Sequence, residues 1–144
     1  MRVNDWDIQM DKAIKRSKTA EFKWGVSDCF CLVSDVIEAM TGRDPVKQWR
    51  GTYNSEISAW KALRKTANDA FDWCDKNFGK RIDVRFAQRG DVVGIIQNQN
   101  MIPSLGVVLG RQVICFGESG KIEALDLFNC LENEDMELVS WRIE

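Results

Sequence analysis

The residues best suited to chemistry lie in Trp24-Gly25-Val26-Ser27-Asp28-Cys29-Phe30-Cys31. Leu32, Val33, Val36, Ile37 and Met40 follow at the three- and four-residue steps of one buried helix face, so the spacing predicts a helix that begins near Cys29. Ser27 or Asp28 suits the N-cap, where a short side-chain oxygen accepts from the free N–H groups of the first turn. Gly42 suits the left-handed residue that closes the helix. A cysteine at a helix N-terminus meets partial positive charge, which favours the thiolate. Cys29 is therefore the candidate nucleophile. The plainer reading is a buried thiol packed at a helix start.

A nucleophile needs a base, and the chain contains no histidine, the usual general base near neutral pH. A base would have to come from a carboxylate such as Asp28 or Asp91, or from a neighbouring chain. Asp28 is more readily an N-cap or a loop brace, and its negative charge opposes thiolate formation. Cys29 and Cys31 form a C-x-C pair without a second pair or a histidine, short of the four or so ligands of a zinc site. No metal and no cofactor are expected. The five cysteines show no disulfide-scaffold spacing and read as reduced thiols, most of them small core residues. Arg50, beside Gly51, suits a carboxylate or phosphate ligand; a loop-bracing ion pair is the simpler role. Trp6, Trp60 and Trp73 fall in helical stripes and read as core. Trp24 and Trp49 flank irregular segments and are candidates for a groove or a protein interface.

The elements that must position these residues follow from periodicity. Asn4 or Asp5 can cap a first helix to about Ser17, with Trp6, Met10, Ala13 and Ile14 on one face. A polar connector, 18–23, leads to the central loop and helix. Gly42-Arg43-Asp44-Pro45 is a turn. Ser55 caps a helix carrying Ile57, Trp60, Leu63 and Ala67; Asn68-Asp69 interrupts or restarts it, and Ala70, Phe71, Cys74 and Phe78 form another stripe, ended by Gly79. The period then changes from 3.6 to 2. Ile82, Val84 and Phe86 alternate as a strand would, and Arg89-Gly90-Asp91 turns into a run over 92–96. A polar loop is expected over 97–103. Strands follow at 105–109 and 113–116 around a two-residue turn, Gly110-Arg111. Another follows over 121–125, and 138–143 reads as a closing strand. The stretch 126–137 is ambiguous and reads as a short helical turn and an acidic loop; the acidic run 132–137 reads as solvated, with a basic partner as the alternative. Helices before antiparallel strands indicate α+β.

The 144 residues suit one domain, taken as 1–144, and 44% hydrophobic with 29% charged residues is ordinary for a soluble protein. A formal net charge of -2 gives no electrostatic case for nucleic acid. No apolar run reaches membrane-spanning length, and the N-terminal residues lack a signal-peptide core, so synthesis in the cytoplasm without signal-directed export is expected.

A helix-start cysteine ahead of an antiparallel sheet resembles the papain-like cysteine hydrolases, and in particular their NlpC branch of bacterial cell-wall peptidases and amidases. The points of contact are Trp24-Gly25, Asp28-Cys29, Gly90-Asp91-Val92-Val93 and Leu105-Gly106-Val107-Val108-Leu109-Gly110. The chain is similar to a compact NlpC-related family of phage and prophage tail proteins through Trp24 to Cys29, Asp35, Thr41-Gly42 with Asp44, and Arg50-Gly51 with Tyr53. The likeness continues through Ala87-Gln88-Arg89-Gly90-Asp91, Leu105-Gly106, Gly120 and Trp141-Arg142-Ile143. The resemblance implies a papain-like, NlpC-type fold, with N-terminal helices packed on a C-terminal antiparallel sheet. It implies a place at the tail tip between tape measure and central hub, in the virion, after assembly in the host cytoplasm. The implied partners are the hub, the distal tail protein and the tape measure. It also places Ser104 where NlpC enzymes carry the base histidine, and Phe116 where they carry the orienting polar group. Serine at its ordinary pKa cannot take a proton from a thiol, and phenylalanine orients nothing. The expectation is a tail-tip or tail-assembly part on a degenerate hydrolase fold, leaning away from catalysis. The alternatives are a working peptidase or amidase acting on peptidoglycan during genome delivery, and a cytoplasmic binding module.

Overall fold

The computed structural model describes residues 1–97 and 103–144. Of the loop expected over 97–103, residues 98–102 lie outside the described residues. The helices come first. α1 (Trp6–Ser17) buries Met10, Ala13 and Ile14. Asp5 precedes it, yet its carboxylate takes the Gln9 side chain at 2.8 Å and caps no backbone N–H. α2 (Cys29–Thr41) starts at Asp28 and stops at Gly42, which sits at φ 79°. Nine of its 13 residues are buried, so it is a core helix enclosed on most sides, where the periodicity suggested a single buried face. α3 (Glu56–Arg64) opens with a capping box in which Ser55 accepts from the Ser58 N–H. Ala59 and Leu63 turn inward, and Ile57, expected on that stripe, is 61% exposed. α4 (Ala70–Asn77) restarts at Asp69, whose side chain accepts from the Asp72 N–H.

The strand expected across Ile82, Val84 and Phe86 is shorter. Only β1 (Lys80–Ile82) pairs. The Asp83 side chain accepts from the Arg85 N–H and winds 84–86 into a 3-10 turn, which leaves Phe86 exposed. β2 (Val92–Gln97), β3 (Ser104–Leu109), β4 (Gln112–Phe116) and β5 (Ile122–Asp126) form a meander. The Gly110-Arg111 turn joins β3 to β4. In the undecided stretch Asp126 caps a short α5 (Leu127–Glu132), accepting from the Phe128 and Asn129 N–H groups. Then β6 (Met136–Arg142) inserts between β1 and β2. The result is an α+β chain in which helices precede a six-stranded antiparallel sheet of order β1-β6-β2-β3-β4-β5.

Strand alternation divides the core. Val92, Leu105, Val107, Ile114 and Trp141 face the helices. Val93, Ile95, Val108 and Val113 face the other way and pack with Leu127 of α5. The fully buried Asp91 fixes the start of β2. It accepts from the Gln88 N–H at 2.8 Å and from Arg2 and Arg142, each at 3.2 Å, and Arg2 also donates to the Ile143 carbonyl at 2.8 Å. Among the described residues, no helix is long and apolar enough to cross a membrane.

Candidate functional site

The loop before α2 is held by one carboxylate. Asp28 is fully buried and extended, and it accepts three hydrogen bonds. Oδ1 takes the Cys31 N–H at 2.9 Å, while Oδ2 takes the Gly25 N–H at 2.9 Å and the Tyr53 hydroxyl at 2.5 Å. Gly25, at φ 80°, lies against the backbone of Tyr53, where a Cβ would fall on the carbonyl oxygen. The Gly51 N–H closes the clamp by donating to the Gly25 carbonyl at 2.8 Å. Asp28 is thus both N-cap and brace. With these donors on its oxygens it is not placed as a base for the neighbouring thiol. Asp91, the other carboxylate considered, is committed to the two arginines and the chain termini and does not line the cavity beside Cys29.

Cys29 is buried, and its thiol reaches the Pro103 carbonyl at 3.8 Å. Burial pushes the thiol up to about 12, and the Asp28 charge adds to the shift. The expectation of a thiolate favoured by the helix start is overturned by magnitude. A helix terminus contributes at most about 2 kcal/mol. Raising a thiol from its ordinary 9.0 to about 12 corresponds to about 4 kcal/mol in the other direction. Cys31 is likewise pushed up to about 12 by burial and then by Asp28. All five cysteines are free and buried. Among the described residues, no group of His, Cys, Asp and Glu could hold a metal ion.

The sheet brings the expected positions to one place. Ser104 opens β3 and Phe116 ends β4, and both line a cavity of about 670 Å³ together with Cys29 and Trp24. Phe22 forms T-shaped pairs with Trp24 and with Phe116, with ring centroids at 4.9 and 5.5 Å. Trp49 does not join this groove. It stacks on the buried Trp73, centroids 4.7 Å apart and planes 28° apart, and belongs to the core margin. Arg50 takes its simpler role, bound to Asp35 at 2.6 Å and to Asp44 at 2.8 Å. The acidic run over 132–137 is exposed except for the half-buried Met136.

Residue spacing did not single out Tyr53 as the partner of Asp28, nor Phe22, Glu56, Glu118 and Glu123 as cavity residues. Tyr53 is the chain's only tyrosine and lies in a short irregular link, and the family resemblance marked its position without assigning it a partner. The cavity residues come together only through the docking of the 22–24 connector on the β4–β5 turn, where the Phe22 N–H donates to the Gly120 carbonyl at 2.7 Å.

A comparison with curated proteins returns no match. A family profile described as a domain of unknown function (DUF6950) matches residues 1–132. The chain belongs to this DUF6950 family.

Proposed function

We propose that the protein is a tail-tip or tail-assembly component of a phage or prophage, built on a papain-like, NlpC-type scaffold and without hydrolytic activity. The observation that carries the loss of activity is that the thiol at the nucleophile position has no histidine to serve as its base. The sequence contains no imidazole, the facing positions are Ser104 and Phe116, and burial holds the Cys29 proton to about 12. An attacking thiolate at neutral pH would therefore be scarce. The resemblance along the chain supports the tail setting, with hub, distal tail protein and tape measure as partners and the virion as the final location. The test is a protein inventory of purified tails together with deletion of the gene. Presence of the chain, or a block in tail assembly on deletion, is expected. Its absence from tails with normal assembly would remove the proposal.

One observation favours the rival enzyme. Cys29 borders a cavity roomy enough for a peptide fragment. A working peptidase or amidase predicts muropeptide release that disappears in Cys29→Ala.

A further inference from the structure

We propose that the cavity beside Cys29 is a docking groove for an arginine side chain presented by a partner protein. The inference rests on the reading of this cavity as a binding surface rather than a catalytic centre, and it names what the surface takes. Phe22, Trp24 and Phe116 supply ring faces locked edge to face. Glu56, Glu118 and Glu123 add three carboxylates, and among the described residues no lysine or arginine lines the space.

Among the described residues, those carboxylates form no ion pair, and every salt bridge uses an aspartate. Among the described residues, the Glu123 carboxylate has one hydrogen-bond contact, with the Ser119 hydroxyl at 3.4 Å, and it lies against Gly117. An anionic ligand would meet repulsion here. A bare metal ion would find its oxygens too far apart, since no described cluster is close enough to chelate one. Dispersed carboxylates over aromatic faces suit an extended organic cation. A guanidinium fits best, because its plane stacks on a ring while its fork of donors reaches more than one carboxylate. Lysine offers only a compact, strongly hydrated charge.

The occupant belongs to a protein chain rather than being a free amino acid. Val26 and Ile57 are 58% and 61% exposed, and they are close chain neighbours of the lining residues Trp24 and Glu56. They offer apolar contact to the residues that flank the arginine.

The test is an NMR titration of isotope-labelled protein with a blocked peptide carrying one arginine between serines and glycines. A second peptide replaces that arginine with citrulline, its neutral isostere. Saturable shifts at the Trp24 indole N–H and at the Gly117 and Glu118 amides are expected. The citrulline peptide should bind at least about tenfold more weakly. The exposed triple variant Glu56→Gln/Glu118→Gln/Glu123→Gln should keep its spectral dispersion and lose at least about tenfold in affinity for the arginine peptide. Equal binding of the two peptides, an unchanged triple variant, or no saturation up to about 10 mM peptide would overturn the assignment. The two readings fail differently: cleavage of a bound peptide sinks the inert reading, whereas absent charge preference sinks this one.

Discussion

If the site is inert, Cys29 should resist a thiol reagent that finds ordinary cysteines within minutes. The perturbation is 5,5′-dithiobis(2-nitrobenzoate) added to native protein near pH 7.5. Holding the thiol at about 12 instead of 9.0 lowers its thiolate population about a thousandfold at that pH. The rarer thiolate is a better nucleophile. With a Brønsted slope of about 0.45, the same displacement recovers about twentyfold. Ionisation alone therefore slows exchange about fiftyfold, before the 7% exposure of Cys29 restricts approach of the reagent. The other four thiols are buried and shifted in the same direction. Native protein should show no fast equivalent, and denatured protein should release five. Mass mapping of the mixed disulfide assigns any early reaction. One equivalent released at the rate of a small thiol, mapped to Cys29 and absent from Cys29→Ser, would refute this reasoning and favour the enzyme.

Alkaline stability follows from the same burial: unfolded thiols ionise near 9.0 while folded Cys29 keeps its proton to about 12, so between these values the unfolded state binds fewer protons. Stability should fall as pH rises through that window, by about 2 kcal/mol at pH 10.5 from Cys29 alone, with a shallower decline in Cys29→Ala when the two are melted side by side. Asp28→Asn turns an amide toward one of three donors and should cost about 2–3 kcal/mol, whereas Tyr53→Phe removes one donor and should cost about 1–2; thermal melts rank them. Gly25→Ala drives a methyl into the Tyr53 carbonyl and should lower the unfolding free energy read from urea titration by more than about 3 kcal/mol, against about 1 for Gly42→Ala, where the methyl meets open space.

The helical half was legible because its signals are local. Asp28, Ser55 and Asp69 cap within three residues of themselves, and Gly42 ends its helix by backbone conformation. Strand identity was legible where β-branched runs meet a turn, as at 92–96 and 105–109. It failed at Val84 and Phe86, where the Asp83 side chain competes for the Arg85 N–H and outweighs an alternating pattern only a few residues long. The ionisation of Cys29 was misread for a related reason. Sequence shows the helix start, and the dipole belongs to it, but burial depends on β3 and Pro103 from 74 residues away. Desolvation is non-local, and here it is the larger effect. Asp91 illustrates the same limit: its partners Arg2 and Arg142 are 89 and 51 residues distant, so a lone Gly-Asp turn could not reveal them.

The position of β6 has a consequence for synthesis. β6, made after the other five strands of the sheet, fills the slot between β1 and β2. Until residues 136–142 clear the exit tunnel, β1 has no ladder to join, and the β2 rim presents unpaired amides beside Val92, Val93 and Ile95. A nascent chain in that state holds a helical half and a four-stranded meander with one sticky border. Ribosome stalling in that interval should produce a chaperone client, and release of β6 should end its dependence.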